Sequence, residues 1–386
     1  MAMTATARHS AFHALRVAEV DRLTDDAVAL TFEVPPALRE AYRFTPGQHI
    51  AVRRFVDGAE VRRTYSVCDP APADDAADAE DAEDADGGAV AGPGRLRVGV
   101  RLVEGGAFST YALKELRAGD ELEVMTPAGR FGAGAWTAVP GTGRGGHFAA
   151  VVGGSGITPV LSIMTTLLAR RPEARFCLIR SDRTAASTMF LEEVADLKDR
   201  YPGRFQLVHV LSREEQQAGL PSGRLDGERL EKLLPALLPV EAVDAWFLCG
   251  PYGLVEDADR TLRGLGVAGD RVHQEIFHVD TGAVADATAR PAVPVGATVH
   301  ATLDGRSGDW PSRDGESVLE TVLRNRADAP YACKGGVCGT CRAKLVFGEV
   351  RMDRNFALEP SEVDAGYVLA CQSHPVTEKV EVDFDA

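Results

Sequence analysis

No run in this 386-residue sequence approaches the roughly 18 consecutive apolar residues that a membrane-spanning helix needs. The opening stretch, MAMTATARHSAFHALRV, has no long apolar core and no small-residue cleavage pattern, so no secretory signal is expected and the cytoplasm is the expected location. Positive charge is also short. Lys and Arg number 42 against 57 Asp and Glu, a net charge of −15, which argues against a nucleic-acid partner. No internal repeat is visible. Cysteine is scarce, with seven in all, and the number is odd. Four of the seven fall in the last 54 residues. An odd count, no signal and one tight cluster speak for a reducing compartment and a metal site rather than disulfides.

The remaining composition is ordinary for a soluble globular chain, 45% hydrophobic and 26% charged. At ~150 residues per domain the length suggests two to three domains. Much of the acidity is local. Residues 73–88 read ADDAADAEDAEDADGG, with eight acids and no base; without them the charge would be −7. With nothing aromatic or β-branched to bury, the run predicts a solvated, disordered loop, a tolerated surface insertion rather than a docking tail.

Three regions differ in pattern. Residues 10–143 alternate apolar and polar over short runs (HALRVAEV, AVALTFEV, QHIAVRRF, RLRVGVRLV, DELEVMT) with turns such as Pro46-Gly47 and Gly119-Asp120 between them. This predicts a small antiparallel β-barrel. Residues 146–280 alternate strand and helix: FAAVVGGSG, ITPVLSIMTTLLARRP, RFCLIRSDR, TMFLEEVADLKDRY, FQLVHVLSRE, ERLEKLLPALL, AWFLCGP, GLVEDADRTLRGLG. That order predicts an α/β domain with a doubly wound parallel sheet. Residues 281–295, rich in Ala, Thr, Pro and Gly, read as a linker. In 296–386, VHATLDGR, AKLVFGEVRM and VEVDFDA read as strands and ESVLETVLRN as a helix, around the cysteine cluster.

The cluster reads ACKGGVCGTC, then GYVLACQ. Four residues separate Cys333 from Cys338, two separate Cys338 from Cys341, and 29 separate Cys341 from Cys371. This is the plant-type 2Fe–2S spacing. Gly335, Gly336 and Gly339 let the backbone fold tightly around the sulfurs and aim N–H groups at them. The competing reading is structural zinc, which tends to use two Cys-x₂-Cys pairs or histidine partners; here one such pair is missing its second half.

Arg63-Thr64-Tyr65-Ser66 follows a strand of the barrel region. An arginine fork pairs with a phosphate; a tyrosine can pack on a flavin ring and Ser66 can hydrogen-bond near flavin N5. In GGAFSTY, Gly106 and Ser109 suit a second phosphate contact. Alone, RTYS reads equally well as an ordinary half-exposed strand. GGSGITP sits between strand and helix, so Gly154, Gly156, Thr158 and Pro159 form a turn where backbone approaches a pyrophosphate at a helix N-terminus. Cys249-Gly250-Pro251 lies at the C-terminal end of a later strand, where ligands of open α/β sheets gather; by itself Cys249 reads as a small buried hydrophobe. Ser212 and Arg213, at another strand end, can hold the 2′-phosphate of NADPH, with Arg180, Arg183 and Arg224 adding positive charge. A solvated surface arginine is the plain alternative.

A nicotinamide gives two electrons at once and a 2Fe–2S cluster takes one, so a flavin must convert between them. RTYS, GGAFS, GGSGITP, LSRE, CGP and ACKGGVCGTC, in that order, resemble the ferredoxin-NADP reductase superfamily fused to a plant-type ferredoxin, the reductase components of multicomponent oxygenases. Longer stretches, among them EAYRFTPGQH, FSTYALKELRAGDELEVMTPAGRFG and MFLEEVADLKDRYP, are similar to the reductase subunits of phenylacetyl-CoA epoxidases. The resemblance implies FAD in the barrel, NADPH on the α/β domain and a C-terminal β-grasp ferredoxin domain. It also implies delivery of electrons to a di-iron oxygenase subunit that epoxidises phenylacetyl-CoA. It carries flavin contacts to Arg63, Thr64, Tyr65, Ser66, Gly106 and Ser109, and the nicotinamide path to Gly154, Gly156, Thr158, Cys249, Gly250 and Pro251. It places Glu275 and Phe277 of HQEIF where nicotinamide and flavin meet, so that Ser66, Cys249 and Glu275 are the expected catalytic set. The four clustered cysteines become the iron ligands. The acidic run and Ile179-Arg180-Ser181-Asp182-Arg183, in place of the usual Tyr-Gly-Asn-Arg, depart from the pattern. Two other readings stand beside this one: the same redox chain serving an aromatic-ring or steroid hydroxylase, and a zinc-bearing module with an inactive nucleotide fold.

Overall fold

A computed structural model describes residues 11–56, 58–72, 92–132, 145–214, 223–278, 296–358 and 360–386. The acidic run at 73–88 and the linker at 281–295 lie outside the described residues. Among the described residues no helix is long and apolar enough to cross a membrane.

The first sheet has six strands: β1 (Phe12–Thr24), β2 (Ala27–Glu33), β3 (His49–Val56), β4 (Ala59–Ser66), β5 (Arg95–Arg101) and β6 (Glu121–Met125), in the order β4-β3-β6-β1-β2-β5. The pairs β1–β2, β1–β6, β2–β5 and β3–β6 are antiparallel. Val67, just past β4, bridges Val98 of β5, so the edge strands meet and the sheet closes into a barrel. Its interior holds Leu15, Val17, Leu30, Phe32, Ile50, Val52, Val98 and Val124, all essentially inaccessible. These are the inward positions of strands that alternate at period two. A helix, α1 (Ala107–Lys114), follows β5 and buries Phe108 and Ala112 against this core.

The second sheet is parallel and runs β11-β10-β7-β8-β9. Its strands are β7 (His147–Gly153), β8 (Arg175–Asp182), β9 (Phe205–Leu211), β10 (Ala245–Pro251) and β11 (Val272–His278). Helices α2 (Ile157–Arg170), α3 (Leu191–Arg200), α4 (Gly227–Leu237) and α5 (Tyr252–Gly264) connect them. The chain leaves β7 toward β8 on one side and returns to β10 on the other. A crevice therefore opens at the carboxyl ends of β7 and β10, the switch point where ligands of such sheets sit. α2 is buried along most of its length, including Ile157, Val160, Ile163, Met164 and Leu167, because it is covered on one side by the sheet and on the other by the barrel.

The sequence reads the barrel and the parallel sheet as separate domains. In the structure they belong to one compact unit, Phe12–Val61 with Tyr65–Val279. Ala27, Ala29, Cys68 and Phe131 of the barrel region share a single apolar cluster with Phe148, Ile157, Met164 and Phe247. The Phe131 and Phe247 rings meet edge to face at 5.7 Å. Across this contact a Cβ on Gly99 of β5 would lie 2.8 Å from Thr158 Cγ2 and 2.9 Å from Met189 Cε. Arg97 of β5 forks onto Glu193 of α3 at 2.9 and 2.6 Å and reaches Asp69 at 3.2 Å. Facing charges and the adjoining Glu193 hydrogen bonds keep Arg97 charged despite its burial.

The C-terminal sheet belongs to the other compact unit. It runs β13-β12-β18-β14-β16, from β12 (Thr298–Leu303), β13 (Arg306–Pro311), β14 (Arg342–Phe347), β16 (Tyr367–Leu369) and β18 (Lys379–Asp383). A ribbon of β15 (Val350–Met352) with β17 (Ser373–Pro375) and helices α6 (Val318–Leu323) and α7 (Pro360–Asp364) complete it. α6 starts at a reciprocal cap: the Ser317 hydroxyl accepts from Glu320 N at 3.2 Å while the Glu320 carboxylate accepts from Ser317 N at 2.9 Å. Such caps are worth about 1 kcal/mol. The helix is shorter than ESVLETVLRN suggests, because its first two residues serve as the cap and lead-in.

Candidate functional site

The three consecutive cluster cysteines lie on the irregular loop before β14, and Cys371 follows β16. The antiparallel register Arg342↔Leu369, Ala343↔Val368, Lys344↔Tyr367 brings the two segments together. Lys334, Gly336 and Gly339 have φ of 52°, 80° and 67°, so the loop turns repeatedly through the left-handed region. The thiols fall into two pairs. Cys338 donates toward Cys333, which draws the Cys333 thiol down to about 5, helped by backbone N–H groups of Gly335, Val337 and Cys338. Cys341 likewise donates to Cys371, whose thiol is lowered, while both donors are held up. Gly335 N lies 3.3 Å from Cys333 Sγ. Among the described residues no three His, Cys, Asp or Glu side chains converge on a single ion position. Four thiols on one glycine-rich loop and the adjoining strand end are the donor set that a 2Fe–2S cluster takes.

In the other unit, Tyr65 of β4 packs on Phe108 of α1, ring centroids 5.5 Å apart. This brings the RTYS strand and the GGAFS turn side by side. The Ser109 hydroxyl accepts from Val103 N at 3.1 Å and turns back on Gly106 O at 3.3 Å, so it is spent inside its own turn. A Cβ on Gly106 would lie 2.6 Å from that hydroxyl and 2.9 Å from Val103 O, which is why glycine stands there. Alternation along β4 sends Ser66 to the face opposite Tyr65. There its Oγ lies 3.5 Å from Glu275 Oε2 of β11. Glu275 pairs in register with Cys249 of β10. Its side chain is 13% exposed, and burial pushes the carboxyl up to about 8. The same burial, with Glu275 nearby, holds the Cys249 thiol well above its ordinary value.

One member of this group went unnoticed in the sequence. His49, at the start of β3, is buried with its Nδ1 3.9 Å from Glu275 Oε1. Burial lowers it to about 4, so it is neutral near pH 7. Nothing in QHIAVRRF marks it, since its partner lies far along the chain. Phe277, two residues beyond Glu275, packs against the shared apolar cluster. The Ser66 hydroxyl and the buried Glu275 carboxyl offer a flavin ring a hydrogen-bonding edge, while Tyr65 stands on the other face of β4.

The two glycine turns interlock. A Cβ on Gly156 would lie 2.2 Å from Cys249 O and 2.8 Å from Gly250 N; one on Gly250, itself at φ 145°, would lie 2.9 Å from Gly153 N and O. Backbone thus touches backbone, and only glycine fits. Gly154, at φ 55°, opens the tight turn that leads into α2. Thr158 is buried and its hydroxyl donates to Ser155 O at 3.0 Å, with Pro159 beside it in the first turn. Pro251 precedes α5.

The arginines sort differently from expectation. Arg180, 1% exposed, points inward: its Nε donates to Asp182 Oδ2 at 2.8 Å and its Nη2 to Met189 O at 3.1 Å. His209 completes that cluster at 2.9 Å from the same carboxylate oxygen. Arg183 is paired to Asp26 of the barrel. Arg180 therefore does not lend its charge to a 2′-phosphate, because alternation along β8 turns it into the interior, and the charge of Arg183 is engaged with an acid. Ser212 and Arg213 follow β9, held by Ser212 N to Asp182 O and Arg213 N to Arg183 O, each 2.9 Å.

Residues 301–376 match the 2Fe-2S iron-sulfur cluster binding domain family, and 151–260 match the Oxidoreductase NAD-binding domain family. One subunit of the 1,2-phenylacetyl-CoA epoxidase of Escherichia coli (strain K12) is 43% identical over 379 residues, covering 97% of this chain and 98% of that protein. The ferredoxin reductase component of 3-ketosteroid-9-alpha-monooxygenase from Rhodococcus rhodochrous is 30% identical over 382 residues, 96% of each. Among solved structures, phthalate dioxygenase reductase shares the fold, with a TM-score of 0.55 and 24% identity over 97% of this chain and 98% of that one.

Proposed function

Because the chain belongs to the family of reductase components that serve oxygenases through a nucleotide-binding domain and a 2Fe–2S domain, we propose that it takes hydride from NADPH and feeds single electrons to a di-iron oxygenase subunit acting on phenylacetyl-CoA. It is an oxidoreductase that uses NAD(P)H, FAD and a 2Fe–2S cluster. Bound flavin supplies the conversion of one hydride into two single electrons; the protein supplies position, proton and water exclusion.

The observation that carries the reading is the meeting of Ser66, Cys249 and Glu275 at the junction of barrel and parallel sheet. Glu275 holds a proton at neutral pH, and Ser66 Oγ is the group through which it can be handed on. Neutral His49 backs the carboxyl on its other oxygen. Cys249, carrying no charge, gives the nicotinamide an apolar wall at the end of β10. Gly154, Gly156, Thr158, Pro159, Gly250 and Pro251 let the dinucleotide backbone approach the sheet. Ser212 and Arg213 receive the 2′-phosphate, which distinguishes NADPH from NADH. Arg63, Thr64, Tyr65 and Ser66, with the backbone N–H groups of the turn from Gly106 to Ser109, hold the flavin. Cys333, Cys338, Cys341 and Cys371 hold the irons.

The partner assignment rests on the 43% identity to the epoxidase component. The test is anaerobic titration with NADPH and with NADH, followed by reconstitution with a phenylacetyl-CoA epoxidase core. NADPH-driven turnover is expected. If that core gains no turnover while a steroid or aromatic-ring hydroxylase does, the partner is the other one, a reading that the 30% identity to the ketosteroid reductase component supports.

A further inference from the structure

Gln372 follows the fourth cluster cysteine. Its backbone is fixed on both sides: its N–H donates to Leu369 O at 2.9 Å and its carbonyl accepts from Asp353 N at 2.8 Å. The side chain then turns back over the cluster loop. Its Nε2 lies 2.9 Å from Lys334 O, 3.1 Å from Cys371 O and 3.6 Å from Cys371 Sγ. Two of these three neighbours are carbonyl oxygens, which only accept, so the amide must present its nitrogen and not its oxygen. With two protons for three acceptors, one N–H goes to Lys334 and the other is shared between the oxygen and sulfur of Cys371.

Two features show that the loop is built around this amide. A Cβ on Gly336 would lie 3.1 Å from Gln372 Cγ, so glycine clears its seat. Lys334, the residue whose carbonyl is gripped, sits at φ 52°, a conformation that a side-chain-bearing residue holds only with outside support. Gln372 thereby ties the loop carrying Cys333 to the segment carrying Cys371, joining the two thiol pairs.

We propose that the Gln372 side-chain amide donates a hydrogen bond to the Cys371 sulfur and so raises the reduction potential of the cluster, while latching the loop at Lys334. The inference rests on the cluster reading above. A donor beside a thiolate favours the state with the extra electron, because the added negative charge spreads onto the sulfurs. Gln372 is a positioning residue: it reaches the iron only through Cys371.

The test is Gln372→Leu in the full-length holoprotein, with iron and acid-labile sulfide measured first. At a fixed poise near the midpoint, the ratio of reduced to oxidised cluster is expected to fall about fivefold, or about 40 mV at 59 mV per tenfold for one electron. NAD(P)H-driven flavin bleaching stays unchanged. A fully loaded variant with the wild-type midpoint overturns the proposal. A second measurement needs no variant: in protein labelled with ¹⁵N at the glutamine side chain, pulsed EPR of the dithionite-reduced cluster should show a ¹⁵N coupling. Its absence overturns the proposal even if the leucine variant fails to hold iron. Wild-type protein with no iron or sulfide would instead refute the cluster itself.

Discussion

Replacing Gly156 by alanine puts the interlocked turns to a quantitative test. The new Cβ would sit 2.2 Å from Cys249 O and 2.5 Å from Cys249 C, whereas ordinary contact begins at 3.4 Å, so something must move by about 1.2 Å. Neither side is a flexible side-chain end. One is the start of α2, the other is backbone of β10, a strand paired on both edges. Overpacking of this kind costs about 1–3 kcal/mol, and with backbone on both sides the upper end applies. At about 2–4 °C per kcal/mol for a unit of this size, the melting temperature falls by about 6–12 °C. The displaced residue, Cys249, is in register with Glu275, and a shift of about 1 Å at a reacting centre costs about 100-fold in rate. Stopped-flow flavin bleaching by NADPH reads the rate, and calorimetry reads the stability. Gly203→Ala, where a Cβ meets nothing within 4 Å, is the control and should leave both unchanged. Iron content should not alter. Wild-type bleaching and melting in Gly156→Ala would refute the reasoning, because the backbone contact would then be absent in solution.

Glu275→Gln should slow flavin reduction about 100-fold and abolish the decline expected in wild type as pH rises through about 8, where the carboxyl loses its proton; a wild-type profile in the variant would remove Glu275 from proton delivery. The same raised value makes the folded state bind a proton that the unfolded chain releases above about 4.5. Stability should therefore fall as pH climbs from about 4.5 to about 8, less steeply in the glutamine variant, as chemical denaturation can check. Cys338→Ser should lose the cluster spectrum and keep NADPH-driven flavin bleaching; loss of both in a folded chain would contradict the division of labour. Arg213→Ala should raise KM for NADPH at least about tenfold, the worth of one hydrogen bond to a charged group, with little change for NADH. Equal losses for both nucleotides would dismiss Arg213 as the 2′-phosphate ligand.

Features whose partners are close in sequence could be read from the sequence. The cluster loop compresses three thiols into nine residues, and the glycine turn sits directly between its strand and helix. Strands such as FAAVVGG and AWFLCGP announce themselves as uninterrupted apolar runs. The unread parts depend on distance. Ser66 meets Glu275 across 209 positions, and His49 gives no local sign that it backs the same carboxyl. β13, RSGDWP, is an edge strand with mostly exposed side chains, so no apolar alternation reveals it. Arg180 looks like a ligand by composition; only the alternation of β8, with Asp182 and His209 waiting inside, shows that its charge is satisfied internally. The core shared by barrel and parallel sheet is likewise invisible until Ala27, Ala29 and Phe131 meet Phe247.

The placement of the four cysteines has a consequence for how the cluster loop is assembled. Cys333 and Cys338 are neighbours on one loop, which Gln372 grips at Lys334 O and Phe356 N at Gly336 O. Cys341 and Cys371 meet only once β16 has docked on β14, and β14 in turn leans on β18, which comes later in the chain than every thiol. Three of the four cysteines thus lie on one loop, while the elements that fix that loop and bring in the fourth, β16, Gln372 and β18, all follow it in the chain. The Cys341 and Cys371 side chains are therefore brought together by the completed C-terminal sheet, and any displacement of β18 reaches them through β14.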